Sequence, residues 1–298
     1  MSHEKEGQGQ ENSCSSCSQG DCASSGGETN EMDREAMERQ AVARRMDRIR
    51  HKILVLSGKG GVGKSTVAVN IAACLALEGK KVGIMDTDIH GPSIPKLLNV
   101  NAVPEQTGEG GIQPATAFEG IKVMSVGFFL PNNDDAVIWR GPMKYGVIRQ
   151  FLTDVEWGDL DYLIVDSPPG TGDEPLSVAQ LIGAVDGAVL VTTPQDVSVD
   201  DVRRSVNFCR KLDMPILGVV ENMSGFVCPH CSERSDIFKE GGGVAMADQM
   251  KAPFLGAIPI DPAVVRACDE GVPFIKHCAG GATADAFQHV IQPLLALD

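Results

Sequence analysis

Short apolar runs alternate with helical patterns from residue 52 onward, and together they predict an α/β fold. Most of these runs are apolar at every position, which is typical of parallel strands covered by helices on both faces. Because strand and helix patterns alternate, we expect right-handed crossovers and a doubly wound, mostly parallel sheet. The predicted strands are Ile53–Leu56, Val82–Met85, Ile121–Val126, Tyr162–Val165, Ala188–Val191, Ile216–Val220 and Phe254–Ile258.

The N-terminal part of the chain has a different pattern. Residues 1–30 contain almost no apolar side chains, so we predict a disordered acidic tail. Residues 31–50 predict a helix in which acidic residues come first and arginines follow, an order that complements the helix dipole. The simplest division is a tail (1–30), a helix (31–50) and one α/β domain (51–298).

A glycine-rich loop joins the first predicted strand to a helical pattern over Thr66–Leu77. It matches G-x-x-x-x-G-K-[ST], in which backbone N–H groups and a helix N-terminus surround the phosphates of a nucleotide. Lys64 would neutralise phosphate charge, and the Ser65 hydroxyl would ligate Mg²⁺. The residues expected to contact the nucleotide here are Gly58, Gly60, Gly61, Val62, Gly63, Lys64, Ser65 and Thr66.

Polar segments follow three further predicted strands. Asp86 and Asp88 follow one strand, Asp166 ends another, and Asn222 follows a third. Because the carboxyl ends of parallel strands share one edge of a sheet, we expect these side chains to converge on the phosphate-binding loop. Asp166 after four apolar residues resembles a Walker B strand, whose aspartate binds Mg²⁺ through water. Gly170 lies in the next loop, where its N–H can turn towards a γ-phosphate. Hydrolysis would remove this contact and let the loop relax.

Charge and cysteine content limit the partners. The formal net charge is −14, which argues against nucleic acid or a membrane surface as a partner. No apolar run approaches the roughly 20 residues of a spanning helix. Nine cysteines, with no apolar signal segment in residues 1–30, predict a reducing cytoplasm and thiols used for metal or redox chemistry.

The octapeptide from Lys59 to Thr66, Lys-Gly-Gly-Val-Gly-Lys-Ser-Thr, resembles the deviant Walker A motif of the ATPases that include the nitrogenase iron protein, MinD, ParA and the arsenite pump. The resemblance implies that Lys59 reaches across a dimer interface to the partner's nucleotide. It also implies that Asp88 polarises the attacking water, while Asp86 supports Mg²⁺ or the phosphate-binding loop. Lys59, Lys64 and Asp88 are therefore the candidate catalytic residues.

The same group places an asparagine against the adenine edge, which here is Asn222. An Ile-Pro segment frames the base in that group, and the matching residues are Ile258-Pro259-Ile260-Asp261. An asparagine that only closes a turn at a strand end is the alternative for Asn222.

The full set of motifs indicates a more specific family within this group. Asp-x-Asp-x-x-Gly-Pro-Ser, Pro-Pro-Gly-Thr-Gly-Asp-Glu, Glu-Asn-Met-Ser, a Cys-x-x-Cys pair and Gly-Gly-Gly occur in the order found in the Mrp/Nbp/ApbC-type iron–sulfur carrier ATPases, which residues 50–298 resemble. The resemblance implies a homodimeric Mg-ATPase in which Cys228 and Cys231 of both chains hold one bridging [4Fe–4S] cluster. An upstream assembly scaffold would supply the cluster, and apo-proteins would receive it. Two thiolates fill only half of the four cluster sites, so two-fold symmetry would complete the ligand set.

Other roles for the cysteines stay open. Cys228 and Cys231 could form a redox pair, share a Cys₄ zinc site or be structural thiols. Eukaryotic family members carry an N-terminal cluster on four cysteines, whereas this tail has three, so a second cluster, labile zinc and no metal are all possible. The tail cysteines are Cys14, Cys17 and Cys22, and we expect Cys74, Cys209, Cys268 and Cys278 to be packed or incidental.

Two rival functions also remain. One is a positioning ATPase like MinD or ParA, which the acidic charge disfavours. The other is a dimeric ATP-dependent reductase like the nitrogenase iron protein, whose ligand cysteines are far apart in sequence.

Overall fold

The computed structural model describes residues 28–108, 110–129, 141–228, 230–231, 233–277 and 281–297. The chain divides into two units, Met1–Glu38 and Arg39–Asp298. The strands are β1 Ile49–Ser57, β2 Val82–Asp86, β3 Glu105–Gln106, β4 Ile112–Gln113, β5 Ala115–Thr116, β6 Lys122–Ser125, β7 Leu160–Asp166, β8 Gly187–Thr192, β9 Ile216–Val227, β10 Arg234–Ser235 and β11 Phe254–Ile260. The helices are α1 Glu28–Met46, α2 Lys64–Leu77, α3 Ile94–Leu97, α4 Gly141–Thr153, α5 Asp173–Ile182, α6 Asp196–Lys211, α7 Gly242–Gln249, α8 Pro262–Glu270, α9 Phe274–His277 and α10 Ala282–Leu295, with 3₁₀ turns at Phe118–Gly120 and Val126–Phe129.

One mixed sheet of nine strands organises the second unit. Its order is β10-β9-β8-β1-β7-β2-β6-β5, with β11 also paired to β9. Strands β1, β2, β6, β7, β8, β9 and β11 run parallel, whereas β5 and β10 are antiparallel additions. The predicted doubly wound, mostly parallel sheet is confirmed. Because β1 lies between β7 and β8, the loop that leaves β1 sits where the strand order reverses, the usual ligand site of such sheets.

Helices cover both faces of the sheet, which explains the continuous apolar strands. In β1, Ile53 and Val55 pack in one cluster with α2 and α10, while Leu54 and Leu56 pack in another with α4, α5 and α6. Successive side chains of a strand point to opposite faces, so each face needs its own apolar set. All seven predicted strands are present for this reason.

Several element boundaries differ from the prediction. Helix α1 begins at Glu28, three residues before its predicted start, and β1 begins at Ile49, four residues before its predicted start. Helix α1 ends at Met46 rather than at residue 50, because Ile49 is buried and pairs with Leu160 of β7. Strand β9 continues to Val227, seven residues past its predicted end, because β11 and β10 pair with this second half. Residues 1–27 of the predicted tail lie outside the described residues. Among the described residues, no helix is long and apolar enough to cross a membrane.

Candidate nucleotide and thiol sites

The glycine-rich loop connects β1 to α2 with a backbone that needs glycine at two positions. Gly61 and Gly63 have φ angles of +80° and +82°, in the left-handed region that other residues rarely adopt. A Cβ on Gly63 would also lie 2.2 Å from Nδ2 of Asn222. Gly58 lies close to another element, since a Cβ there would be 2.3 Å from the backbone carbon of Asp201 in α6. The backbone of the loop is therefore closely packed against the Asn222 side chain on one side and against α6 on the other.

Lys64 and Ser65, the first residues of α2, both contact the carboxylate of Asp166. The Lys64 ammonium donates to Oδ1 at 2.5 Å, and the Ser65 hydroxyl donates to Oδ2 at 2.5 Å. Lys64 is only 6% exposed and Asp166 is fully buried. Burial raises the pKa of Asp166, although the charge of Lys64 and the two hydrogen bonds oppose this shift. The strand-end aspartate and the loop therefore meet as the sequence pattern predicts.

Asp86 supports the loop that follows β2. Its Oδ1 accepts from the N–H of Asp88 at 3.1 Å, and its Oδ2 accepts from Ser125 at 2.9 Å and from the N–H of Ile94 at 3.2 Å. Burial and then the charge of Asp166 raise the pKa of Asp86 to about 8. Asp86 thus fixes the backbone at Asp88 and Ile94 and also accepts a hydrogen bond from Ser125 of β6.

Asp88, the candidate catalytic base, lies beside Lys64. Its Oδ2 is 4.0 Å from the Lys64 ammonium, and its side chain is 13% exposed. Its Oδ1 accepts from the N–H groups of His90 and Gly91, both at 3.3 Å. The loop's own backbone thus orients this carboxylate towards the phosphate-binding loop.

Lys59 and Gly170 lie on two loops at the end of β1. The Ser57 carbonyl accepts from the N–H of Gly170 at 2.8 Å, and the Ser57 hydroxyl donates to the Lys59 carbonyl at 3.0 Å. Gly170 has a φ of +93°. The loop after Asp166 is therefore joined directly to the strand that leads into the phosphate-binding loop. The side chain of Lys59 is half-buried.

Asn222 lies inside β9 rather than in a turn after it. Its Nδ2 donates to the carbonyl of Val62 at 2.9 Å, so the phosphate-binding loop and β9 are hydrogen-bonded. Ile258 of β11 pairs with Asn222, which brings the Ile-Pro segment next to it. Pro259 is half-buried in the same strand.

Asp261 has a structural role that the sequence pattern did not predict. It caps the N-terminus of α8, where Oδ1 accepts from the N–H of Ala263 at 2.8 Å. Oδ2 accepts from the Thr283 hydroxyl at 2.9 Å. The Asp-Pro pair at residues 261–262 is a helix-start signal that could have revealed the cap.

Cys228 and Cys231 lie in the tight connection between β9 and β10. The two strands pair antiparallel, and the N–H of Cys228 donates to the carbonyl of Glu233 at 2.9 Å. Cys231 is exposed and Cys228 is half-buried. Hydrogen bonds from the N–H of Cys231, then from that of His230 and the Cys231 thiol, lower the pKa of Cys228. This hairpin therefore presents two thiols to solvent and favours a thiolate.

The remaining described cysteines are less accessible. Cys74 and Cys209 are fully buried, and burial raises the pKa of each thiol to about 12. Cys268 is half-buried, with its Sγ 3.9 Å from Oγ1 of Thr66. Among the residues that the structure describes, no three Cys, His, Asp or Glu side chains form a metal-binding group. Cys14, Cys17, Cys22 and Cys278 lie outside the described residues.

Glu221 is a structural centre that we did not single out from the sequence. It is buried, and its carboxylate accepts from the Ser224 hydroxyl at 2.5 Å, from the N–H of Gly241 at 3.0 Å and from the N–H of Gly243. A Cβ on Gly243 would lie 2.9 Å from this carboxylate. Glu221 thus joins β9, next to Asn222, to the N-terminus of α7, and the close approach explains a glycine at Gly243.

A strand, a glycine-rich loop and a helix, with a buried lysine that contacts a strand-end aspartate, define a P-loop nucleotide-binding protein. The model of the NUBPL iron-transfer P-loop NTPases, within the ParA group, matches residues 48–295. A protein of Methanocaldococcus jannaschii described as an iron–sulfur cluster carrier protein is 55% identical over 230 residues, which cover 77% of this chain and 79% of that protein.

Two solved structures of nucleotide-binding proteins are also similar to this chain. A nucleotide-binding protein of Archaeoglobus fulgidus in complex with ADP is 41% identical, with a TM-score of 0.71 over 79% of this chain and 92% of that one. The cell division ATPase MinD of Pyrococcus furiosus is 25% identical, with a TM-score of 0.61 over 83% of this chain and 99% of that one. The chain belongs to the iron-transfer P-loop NTPases of the ParA/NUBPL family.

Proposed function

We propose that this protein is a Mg²⁺-dependent ATPase that carries a [4Fe–4S] cluster between two copies of the chain and transfers it to apo-proteins. One observation carries the proposal. Strand β9 holds Asn222 against the phosphate-binding loop and ends one residue before Cys228. The phosphate-binding loop and the thiol pair are therefore connected through a single strand, β9.

The nucleotide chemistry follows from the described side chains. Lys64 and Ser65 both donate to Asp166. With ATP bound, Lys64 would neutralise phosphate charge, while Ser65 and Asp166 offer the oxygen ligands that Mg²⁺ prefers. Mg²⁺ would supply charge neutralisation at the phosphates. Asp88 would accept a hydrogen bond from the attacking water.

A second copy of the chain would supply the two further thiolates that a [4Fe–4S] cluster needs. Each hairpin offers two thiols, whereas a [4Fe–4S] cluster takes four. Exposed apolar side chains also lie on segments around the nucleotide and thiol elements: Val197 in α6, Val227 beside Cys228, Ile237 after β10 and Val244 in α7. Lys239 and Asp196 form an ion pair that joins two of these segments. We propose that these side chains lie in a homodimer interface, in which two hairpins would complete the set of four thiolates and each Lys59 would reach the partner's nucleotide.

The proposed site and location follow from the same reasoning. Lys59, Lys64 and Asp88 act in hydrolysis, Asn222 and Pro259 contact adenine, and Cys228 and Cys231 hold the cluster as cargo. The proposed surroundings are the cytoplasm, where thiols stay reduced. The proposed partners are apo iron–sulfur proteins and the scaffold that supplies the cluster.

The test is anaerobic reconstitution in a background where Cys14, Cys17 and Cys22 are replaced by alanine, so that any bound iron belongs to the hairpin. We expect about four irons and four sulfides per dimer, with a cluster absorption band. Cys228→Ala or Cys231→Ala should remove the iron and leave ATP binding largely unchanged, whereas the buried Cys209→Ala is the matched control and should retain it.

Three outcomes would contradict this proposal. Zinc in place of iron would support a Cys₄ zinc site. Iron still bound with both hairpin cysteines replaced by alanine would assign the cluster to other residues. ATP-dependent electron transfer without cluster release would favour the reductase.

A further inference from the structure

Three side chains from three separate segments meet beside Asp88, at the loop that follows β2. They are His90 in the loop after β2, Lys144 in α4 and Glu174 in the first turn of α5, and we refer to them as the Lys144 cluster. The Lys144 ammonium donates to Nε2 of His90 at 2.8 Å and forms an ion pair with Oε1 of Glu174. Nε2 of His90 is 3.3 Å from the same Oε1. The cluster joins the loop after β2 and the first turn of α5 to α4.

Lys144 is the central group of the cluster. Its ammonium, which has only donors, lies within hydrogen-bonding distance of Nε2 of His90 and of Oε1 of Glu174. Its side chain is only 12% exposed, and that of Glu174 is 29% exposed. Burial raises the pKa of Glu174, but the hydrogen bond and charge of Lys144, together with His90, outweigh it and hold that pKa below its usual range.

His90 connects this cluster to Asp88. The N–H of His90 donates to Oδ1 of Asp88, and the N–H of Gly91 donates to the same oxygen. The other carboxylate oxygen of Asp88 faces Lys64 at 4.0 Å. The backbone that orients Asp88 therefore belongs to the residue whose side chain Lys144 holds.

Bracing α4 against the domain is the alternative role of the cluster. Helix α4 already buries Ile148, Phe151 and Leu152 in the core, each less than 2% exposed. These apolar contacts hold the helix in place without Lys144, because burying a large apolar side chain contributes about 1.5–3 kcal/mol each. An ammonium buried beside His90 is therefore not required for the packing of α4.

We propose that Lys144 and Glu174 are positioning residues for ATP hydrolysis, holding the Asp88 loop in its reactive arrangement through His90. This inference rests on the proposed ATPase function and assigns it a set of supporting side chains. In the part of the chain that the structure describes, the hydrogen bonds and ion pairs of Lys144 and Glu174 are made with each other and with His90, not with the phosphate-binding loop. Their loss should therefore change turnover and leave nucleotide affinity intact.

The experiment measures kcat, KM and nucleotide Kd for the full-length protein and its variants. Lys144→Met keeps the length of the side chain but removes its donors. We expect kcat to fall ~10-fold or more, since small misplacement of a reacting group can cost about 100-fold. The Kd for ATP should stay within twofold. Lys144→Arg, which keeps donors, should recover most of kcat, and Lys211→Met on the exposed surface of α6 is the control expected to match the wild type.

Glu174→Gln and the double variant with Lys144→Met test whether the two residues act as a unit. We expect the double variant to be little slower than Lys144→Met alone, because both changes remove the same contact. If Lys144→Met does not fold, His90→Phe at the more exposed end of the cluster gives the same test. An active wild type with unchanged kcat in these variants overturns the positioning role. A loss confined to nucleotide affinity overturns it as well, whereas a wild type without ATPase activity overturns the proposed function.

Discussion

The side-chain amide of Asn222 donates to the main-chain carbonyl of Val62 at 2.9 Å, which joins β9 to the phosphate-binding loop. Beyond Asn222, β9 is irregular. Met223 and Gly225 have φ angles of +59° and +72°, and β9 advances four residues while β11 advances two. The strand then reaches Cys228. The phosphate-binding loop and the thiol hairpin are therefore connected through one strand that contains an irregular segment.

This connection predicts that ATP and the cluster affect each other's binding. In the wild type, ATP affinity should differ between apo and cluster-loaded protein by about 5–150-fold, the range for a coupling of 1–3 kcal/mol. Asn222→Ala should weaken ATP binding in both forms and bring the ratio towards one. Isothermal titration under strict anaerobiosis measures the four affinities.

Transfer to an apo-acceptor provides the kinetic readout of the same coupling. The rate should respond to ATP in the wild type and lose that response in Lys64→Ala, which lacks the phosphate-binding ammonium. Equal affinities and equal transfer rates in the wild type would mean that the ATPase and the carrier are independent activities.

A shared active site predicts recovery of activity on mixing. Lys59→Ala and Asp88→Ala should each be inactive alone, and only Asp88→Ala should trap an ATP-bound dimer. Mixed in equal amounts, they should regain roughly a quarter of wild-type activity, because half of the dimers are mixed and each has one intact site under two-fold pairing. Steady-state phosphate release measures this. Wild-type turnover by Lys59→Ala alone would contradict a lysine acting across the dimer.

Replacing a loop glycine should test the backbone of the phosphate-binding loop. Gly63→Ala places a side chain at a φ of +82° and 2.2 Å from Nδ2 of Asn222, so the loop or Asn222 must move. We expect a loss of about 1–3 kcal/mol in the free energy of unfolding and little residual ATP binding. Gly60→Ala, which meets open space, is the control for stability and should change it by under about 1 kcal/mol. Equal stability of the two variants would contradict the geometry.

Replacing Glu221, which is not one of the proposed catalytic residues, should lower the free energy of unfolding substantially. Glu221→Ala leaves the N–H groups of Gly241 and Gly243 without their carboxylate and opens a cavity. The expected loss is about 3 kcal/mol or more in the free energy of unfolding. Urea unfolding of the nucleotide-free protein measures it. The matched control is Asp200→Ala, an exposed acid on α6, which should cost under about 1 kcal/mol.

The thiols should differ in their reaction with iodoacetamide. The pKa of Cys228 is lowered, so its thiolate increases at a lower pH than in an ordinary cysteine. For Cys74 and Cys209 the pKa is about 12, so raising the pH from 7 to 9 increases the thiolate only to about 0.1%. Peptide mass spectrometry of the apo protein should find Cys228 alkylated first, and Cys74 and Cys209 only after unfolding. Cys209 labelled as fast as Cys228 in the folded state would contradict this order.

The sequence alone was sufficient for the sheet, the phosphate-binding loop and the convergence of Lys64, Asp88 and Asp166. These features depend on local patterns: apolar runs that need cover on both faces, glycines that permit a left-handed backbone, and acids at strand ends. The tertiary structure decided the second half of β9, the capping role of Asp261 and the three hydrogen bonds of Glu221. It also decided the Lys144 cluster, whose members are 30 to 84 residues apart. Such contacts have no local pattern, because they depend on which loops the folded sheet brings to the same edge.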